Sequence, residues 1–119
     1  DSVSFYEMLL EQLSMQHLTE EEETIAEYLI GTLDDDGWLR KDFSFLIDEL
    51  AIYRGIYTNE ENLERILSII QSFDPAGIGA RSLQECLLLQ LKRKPDSPLK
   101  KIEMLLKGEA VLLVVHVKH

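Results

Sequence analysis

Four expected helix starts along this chain have a serine or threonine three residues before a glutamate, and each time an apolar stripe at helical spacing follows. The pairs are Ser4 and Glu7, Thr19 and Glu22, Thr58 and Glu61, and Ser82 and Glu85. In such a capping box each side chain satisfies a backbone N–H that the first helical turn leaves without a partner. The stripes are Phe5, Leu9, Leu10 and Leu13; Ile25, Ala26, Leu29, Ile30 and Leu33; Leu63, Ile66, Leu67, Ile70 and Phe73; and Leu83, Leu87, Leu88 and Leu91. A repeat near 3.6 residues puts each set on one helix face. A further helix is expected from Ser44 to Tyr53, with Leu46, Ile47, Leu50 and Ala51 inward and Gly55 as its left-handed stop. The expected fold class is all-α: about five helices within residues 4–93, antiparallel neighbours joined by short turns.

Two turns punctuate these helices. Asp34-Asp35-Asp36-Gly37 is a tight turn, after which Trp38 and Leu39 are expected to fold back onto the core. Asp74-Pro75-Ala76-Gly77-Ile78-Gly79 begins where Pro75 stops a helix, and its glycines permit a compact bend. Thr19 to Gly37 and Thr58 to Gly77 share a plan of cap, helix and Asp-x-x-Gly turn. Their side chains match too weakly for a repeat, and they read as two helix–turn–helix units stacked in one bundle. Residues 1–95 form one helical domain on this reading. Residues 96–119 form a linker at Pro95-Asp96-Ser97-Pro98 and a tail. In that tail Lys100 to Lys107 suits a helix, and β-branched, apolar Ala110 to Val117 suits a strand or a sticky tail. A chain opening on Asp1 is expected to be a piece of a longer protein.

Charge narrows the partners. Residues 1–91 carry 19 acidic and 5 basic side chains, against 3 and 7 in residues 92–119. An acidic body repels phosphate backbones and attracts basic protein surfaces. The rival reading, a helix-turn-helix nucleic-acid-binding module, therefore lacks its basic recognition helix. The longest apolar run, Ala110 to Val115, is too short for a membrane span, and no secretion signal opens the chain. The single cysteine, Cys86, lies among leucines and cannot form an internal disulfide, which fits a reducing cytoplasm.

The sequence holds no recognisable catalytic or cofactor-binding constellation, so neither an enzyme nor a cofactor is expected. His17, His116 and His119 form no His-Glu-x-x-His pair. A calcium loop with Gly37 at its sixth position would need ligands at Thr32 and Phe43, and both are the wrong residue. A dinucleotide fingerprint starting at Gly77 fails at Ser82 and follows a helix rather than a strand.

Two stretches carry a resemblance. Phe73-Asp74-Pro75-Ala76-Gly77-Ile78-Gly79-Ala80-Arg81, continuing through Leu83, Glu85, Cys86 and Leu87 to Leu91, resembles the signature of the sigma-54 core-binding region. Ile25-Ala26 through Leu29-Ile30-Gly31, then Leu33 to Leu39, is similar to the same family, as is the opening helix of Leu9, Leu13 and His17-Leu18. The likeness covers roughly residues 4–95. Trp38 replaces an expected tyrosine and Ser82 a common aspartate, each keeping its physical role. After Pro98 the pattern is lost.

The resemblance implies a cytoplasmic transcription initiation factor that docks on core RNA polymerase. Promoter DNA and an ATP-hydrolysing activator would engage it through regions outside this chain. The docking candidates it implies are Asp34, Asp35, Asp36, Trp38, Asp74, Pro75, Gly77, Ile78, Gly79 and Arg81. Pro75 restricts the loop and Arg81 offers a planar donor fork. The more ordinary uses of these side chains are structural: Arg81 bonding helix ends of its own chain, Trp38 filling the core.

Overall fold

The computed structural model describes residues 2–94, with side chains from Phe5 onward. The linker and tail expected at 96–119 lie outside the described residues. Five helices follow one another: α1 Ser2–Ser14, α2 Glu20–Gly31, α3 Phe43–Arg54, α4 Glu60–Ile70 and α5 Leu83–Lys92. There is no strand among the described residues, so the fold is the expected all-α bundle.

The helix starts test the capping signals one by one. At α2 the box is complete: Glu22 N–H donates to Thr19 Oγ1 at 3.1 Å, and Thr19 N–H donates to Glu22 Oε1 at 2.9 Å. At α5 Ser82 caps as expected, accepting from Glu85 N–H at 3.1 Å. At α4 the cap is Asn59 rather than Thr58, and it accepts from Asn62 N–H at 2.8 Å. Asparagine outranks threonine at this position, and the shift leaves Glu60 and Glu61 in the first turn, beside the positive end of the helix dipole. At α1 the signal misleads, because the helix already runs from Ser2 and Ser4 lies inside it.

Helix α2 is the centre of the bundle, packing on α1 and α4, while α3 packs on α4. Leu9 and Leu13 of α1 meet Ile25, Ala26, Leu29 and Ile30 of α2 in one core with Leu46, Leu50, Leu63, Ile66, Leu67 and Ile70. All twelve are at most 2% exposed, and burying each of the leucines and isoleucines favours folding by roughly 1.5–3 kcal/mol before entropy is counted. Leu39 joins this core as expected. Phe73 and Ile78 do so from beyond the end of α4.

Helix α5 departs from expectation. Leu91 is buried, but Leu83 is 62% exposed, and Leu87 and Leu88 are only half-buried. The helix rests chiefly on the 71–81 bend rather than on another helix, which explains the exposure of its first turn. Arg93 at its C-cap donates to Phe73 O at 2.6 Å and pairs with Asp74 at 3.0 Å. Its role is a tertiary clasp, beyond the dipole compensation expected of Lys92 to Lys94.

Candidate functional site

The first turn is organised by one carboxylate. Asp34 Oδ1 accepts from Asp36 N–H at 2.8 Å and from Trp38 N–H at 2.9 Å, while Oδ2 takes Arg40 Nε–H at 2.6 Å. Its backbone closes the same turn, accepting from Gly37 N–H and donating to Trp38 O, both at 2.9 Å. Arg40 and then these N–H donors hold the Asp34 carboxyl below the usual carboxylate range. Arg40 also stacks 4.8 Å from the centre of the Trp38 ring, so the half-buried indole is covered by a cation of its own loop.

The second turn is organised by two glutamines and two arginines. Gln71 is nearly buried, and its Nε2 donates to Gly79 O at 3.0 Å. Gln12 reaches over from α1 to Asp74, donating to its carbonyl at 3.0 Å and accepting from its N–H at 2.8 Å. Arg81 places a fork on Glu64 of α4, at 2.8 and 3.0 Å, and another on Glu85 of α5, at 2.6 and 3.0 Å. Its guanidinium also lies 5.4 Å from the Phe43 ring. Burial pushes the Glu85 carboxyl up, but the Arg81 side chain and backbone N–H outweigh it and leave the group lowered.

The two turns, some forty residues apart in sequence, are one object in space. Gly79 N–H donates to Gly37 O at 2.7 Å, and Leu39 N–H donates to Ala80 O at 2.8 Å. At Gly37, where φ is +82°, a β-carbon would stand 2.6 Å from Ile78 Cδ1. At Gly77, where φ is +100°, it would stand 2.7 Å from Cys86 Sγ. Glycine is thus required twice over, by backbone conformation and by close approach.

The ten candidates therefore separate. Gly77, Ile78 and Gly79 are buried and form the seam between the turns. Asp34 and Arg81 are engaged inside the chain. Asp35, Asp36, Asp74 and Pro75 are exposed, and Trp38 is half-buried. Asp35 borders an open groove of about 630 Å³ walled by Phe5, Tyr6, Leu9 and Leu33. Sequence reading missed Gln12, Glu64, Gln71 and Arg93, the residues that hold the second turn. Gln71 had a visible signal: it continues the Leu63–Leu67 stripe at helical spacing, a polar side chain placed where the core lies.

Electrostatically the surface is acidic in a specific sense. Among residues 2–91, Arg40, Lys41, Arg65 and Arg81 form ion pairs with acidic side chains of this chain, and Arg54 lies over the Tyr28 ring. No group of three or more potential metal ligands stands together among the described residues. No described helix is long and apolar enough to cross a membrane.

Comparison with known proteins gives the arrangement its context. The family model for the sigma-54 factor core binding domain matches residues 1–117. The RNA polymerase sigma-54 factor of Bacillus subtilis is 47% identical over 88 residues, covering 73% of this chain and 19% of the relative. That of Xanthomonas euvesicatoria is 41% identical over 91 residues, covering 76% and 19%. That of Acidithiobacillus ferridurans is 39% identical over 90 residues, covering 76% and 18%. This chain spans about a fifth of the length of these relatives. With both turn motifs present and joined, and the family model matched almost end to end, the chain belongs to the sigma-54 factor core-binding domain family.

Proposed function

We propose that this chain is the part of a sigma-54-class transcription initiation factor that docks on core RNA polymerase in the cytoplasm. The observation that carries this reading is the family match over residues 1–117. An acidic body whose arginines and lysines in residues 2–91 are already engaged with its own residues supports a basic protein partner. The same engagement disfavours the nucleic-acid-binding alternative, because counterion release needs cations that are free to meet phosphates. Promoter recognition and the response to an ATP-hydrolysing activator would belong to other regions of the full-length factor. No catalytic step is assigned to this chain.

The two joined turns act on this reading as a brace. They fix α5 and the opening of α3 relative to α1 and α2, so that whatever surface meets the polymerase is presented with a fixed shape. The exposed carboxylates Asp35 and Asp36 would face a basic partner. The test is association of the purified 119-residue chain with purified core polymerase, measured by fluorescence anisotropy at low and moderate salt. Saturable binding that weakens with salt is expected. Equal or tighter binding to duplex DNA, with none to polymerase, would overturn the reading.

A further inference from the structure

The inner face of α3 carries Leu46 and Leu50, both fully buried. If water were the final surroundings of the opposite face, that face would be polar. Here it is mixed, with large apolar side chains standing exposed beside Ser44 and Asp48. Phe45 is 51% exposed and Ile52 73% exposed, and the two are seven residues apart on the side of α3 away from the core. Tyr53, 66% exposed, flanks them, and Tyr57 just beyond the helix is 85% exposed. Four large apolar or aromatic side chains over thirteen positions exceed the scattered single exposures normal for a soluble domain.

The charges around this stripe have a definite pattern. Lys41 lies 5.2 Å from the centre of the Phe45 ring, but its charge is paired with Glu49 at 3.3 Å. Arg54 is turned toward the Tyr28 ring, 5.4 Å away. Asp48 stands between Phe45 and Ile52 along the helix, exposed and in no ion pair among the described residues. A complementary partner would offer apolar side chains to Phe45 and Ile52 and a basic side chain to Asp48. The exposed carboxylates near the two turns could add attraction over longer range, but they lack an apolar surface to exclude water.

Resting on the docking function proposed above, we infer that the outward face of α3 is the contact that seats this domain on core RNA polymerase, receiving an apolar segment that carries a basic residue opposite Asp48. Buried aromatic and aliphatic anchors dominate binding at such interfaces, while charges at the edge set approach and register.

The experiment compares the wild-type chain with Ile52→Asp and Asp48→Lys for binding to purified core polymerase. Both positions are exposed, so unchanged melting temperatures are expected and serve as the control for folding; Asp48→Lys carries the test if Ile52→Asp fails to fold. Each variant should weaken binding about tenfold or more, as loss of a central anchor or reversal of a central charge does. If the wild type binds and both folded variants bind within about twofold of it, less than ~0.5 kcal/mol, the α3 face is not the contact although the docking function stands. If the wild type does not bind, the docking function and this inference fail together. If the chain alone sediments as a dimer that Ile52→Asp dissolves, the face belongs to a second copy and the inference is overturned.

Discussion

Gln12 on α1 and Asp74 at the end of the α4 turn, 62 positions apart, exchange two hydrogen bonds: the Gln12 amide donates to the Asp74 carbonyl and accepts from the Asp74 N–H. A side-chain amide has one donor side and one acceptor side, so it can mimic a backbone partner and complete the N–H and C=O of a single residue. The first helix is thereby tied to the bend that carries the second family motif.

Replacing Gln12 with alanine should leave the core intact and cost about 1–2 kcal/mol, two partly solvated hydrogen bonds at the usual net worth of each. Urea unfolding of the purified chain measures it. The slope of the transition should not change, because no apolar surface is newly exposed. A loss below a few tenths of a kcal/mol would mean that water replaces the glutamine without penalty.

The glycines offer a pair of predictions with opposite sign. Gly37→Ala places a β-carbon against Ile78 at a positive φ, and should destabilise by about 2 kcal/mol or more, with Gly77→Val worse still. At Gly31, in the last turn of α2, a β-carbon meets nothing within 4 Å. Gly31→Ala should therefore stabilise by about 0.4–1 kcal/mol, mainly by restricting the unfolded chain. Melting temperatures of the three variants decide the signs.

Acid should unfold the domain through identifiable carboxylates. Backbone hydrogen bonding at Thr19, then Arg65, lowers Glu22; Arg40 and the turn N–H groups lower Asp34; and Arg81 lowers Glu85 against the opposing effect of burial. A carboxylate with a lowered folded value binds its proton less readily folded than unfolded. Its contribution to stability is thus complete above the ordinary values of 3.8 for Asp and 4.5 for Glu, and is lost as pH falls through the folded values. The urea midpoint should be flat from neutral pH to about pH 5 and then decline. Arg81→Met should lower the neutral-pH midpoint and make the decline shallower. An unchanged acid slope in that variant would show that the Arg81–Glu85 pair does not contribute to it.

Arg81→Lys separates geometry from charge. The guanidinium reaches Glu64 and Glu85 with two parallel forks, which an ammonium cannot reproduce. The pairs are partly exposed, so the expected cost is only about 1 kcal/mol. Amide hydrogen exchange should localise the loosening to α5, whose attachment runs through this bend, while Ile25 to Ile30 keep their protection. Uniform loss of protection would mean that α5 unfolds only with the whole domain.

The sequence by itself determined the number, order and type of the helices, because helix periodicity and caps are local properties written within a few residues of each other. Thr19 with Glu22, and the stripe from Ile25 to Ile30, needed no knowledge of the rest of the chain. It also determined the family, since two motifs in the right order occur within one short chain. Only the tertiary structure decided what those motifs do. The bond from Gly79 to Gly37, the glutamine of α1 on Asp74, and the double fork of Arg81 join residues whose separations carry no periodic signal. Tertiary packing also divided the apolar residues: Leu83 on α5 and Ile52 on α3 have the hydrophobicity of core residues yet face outward. Local spacing can say that a helix has an apolar face, but not how many sides its neighbours cover. That depends on the positions of whole helices, set by α2 packing between α1 and α4 and by the two turns that lock at Gly37 and Gly79.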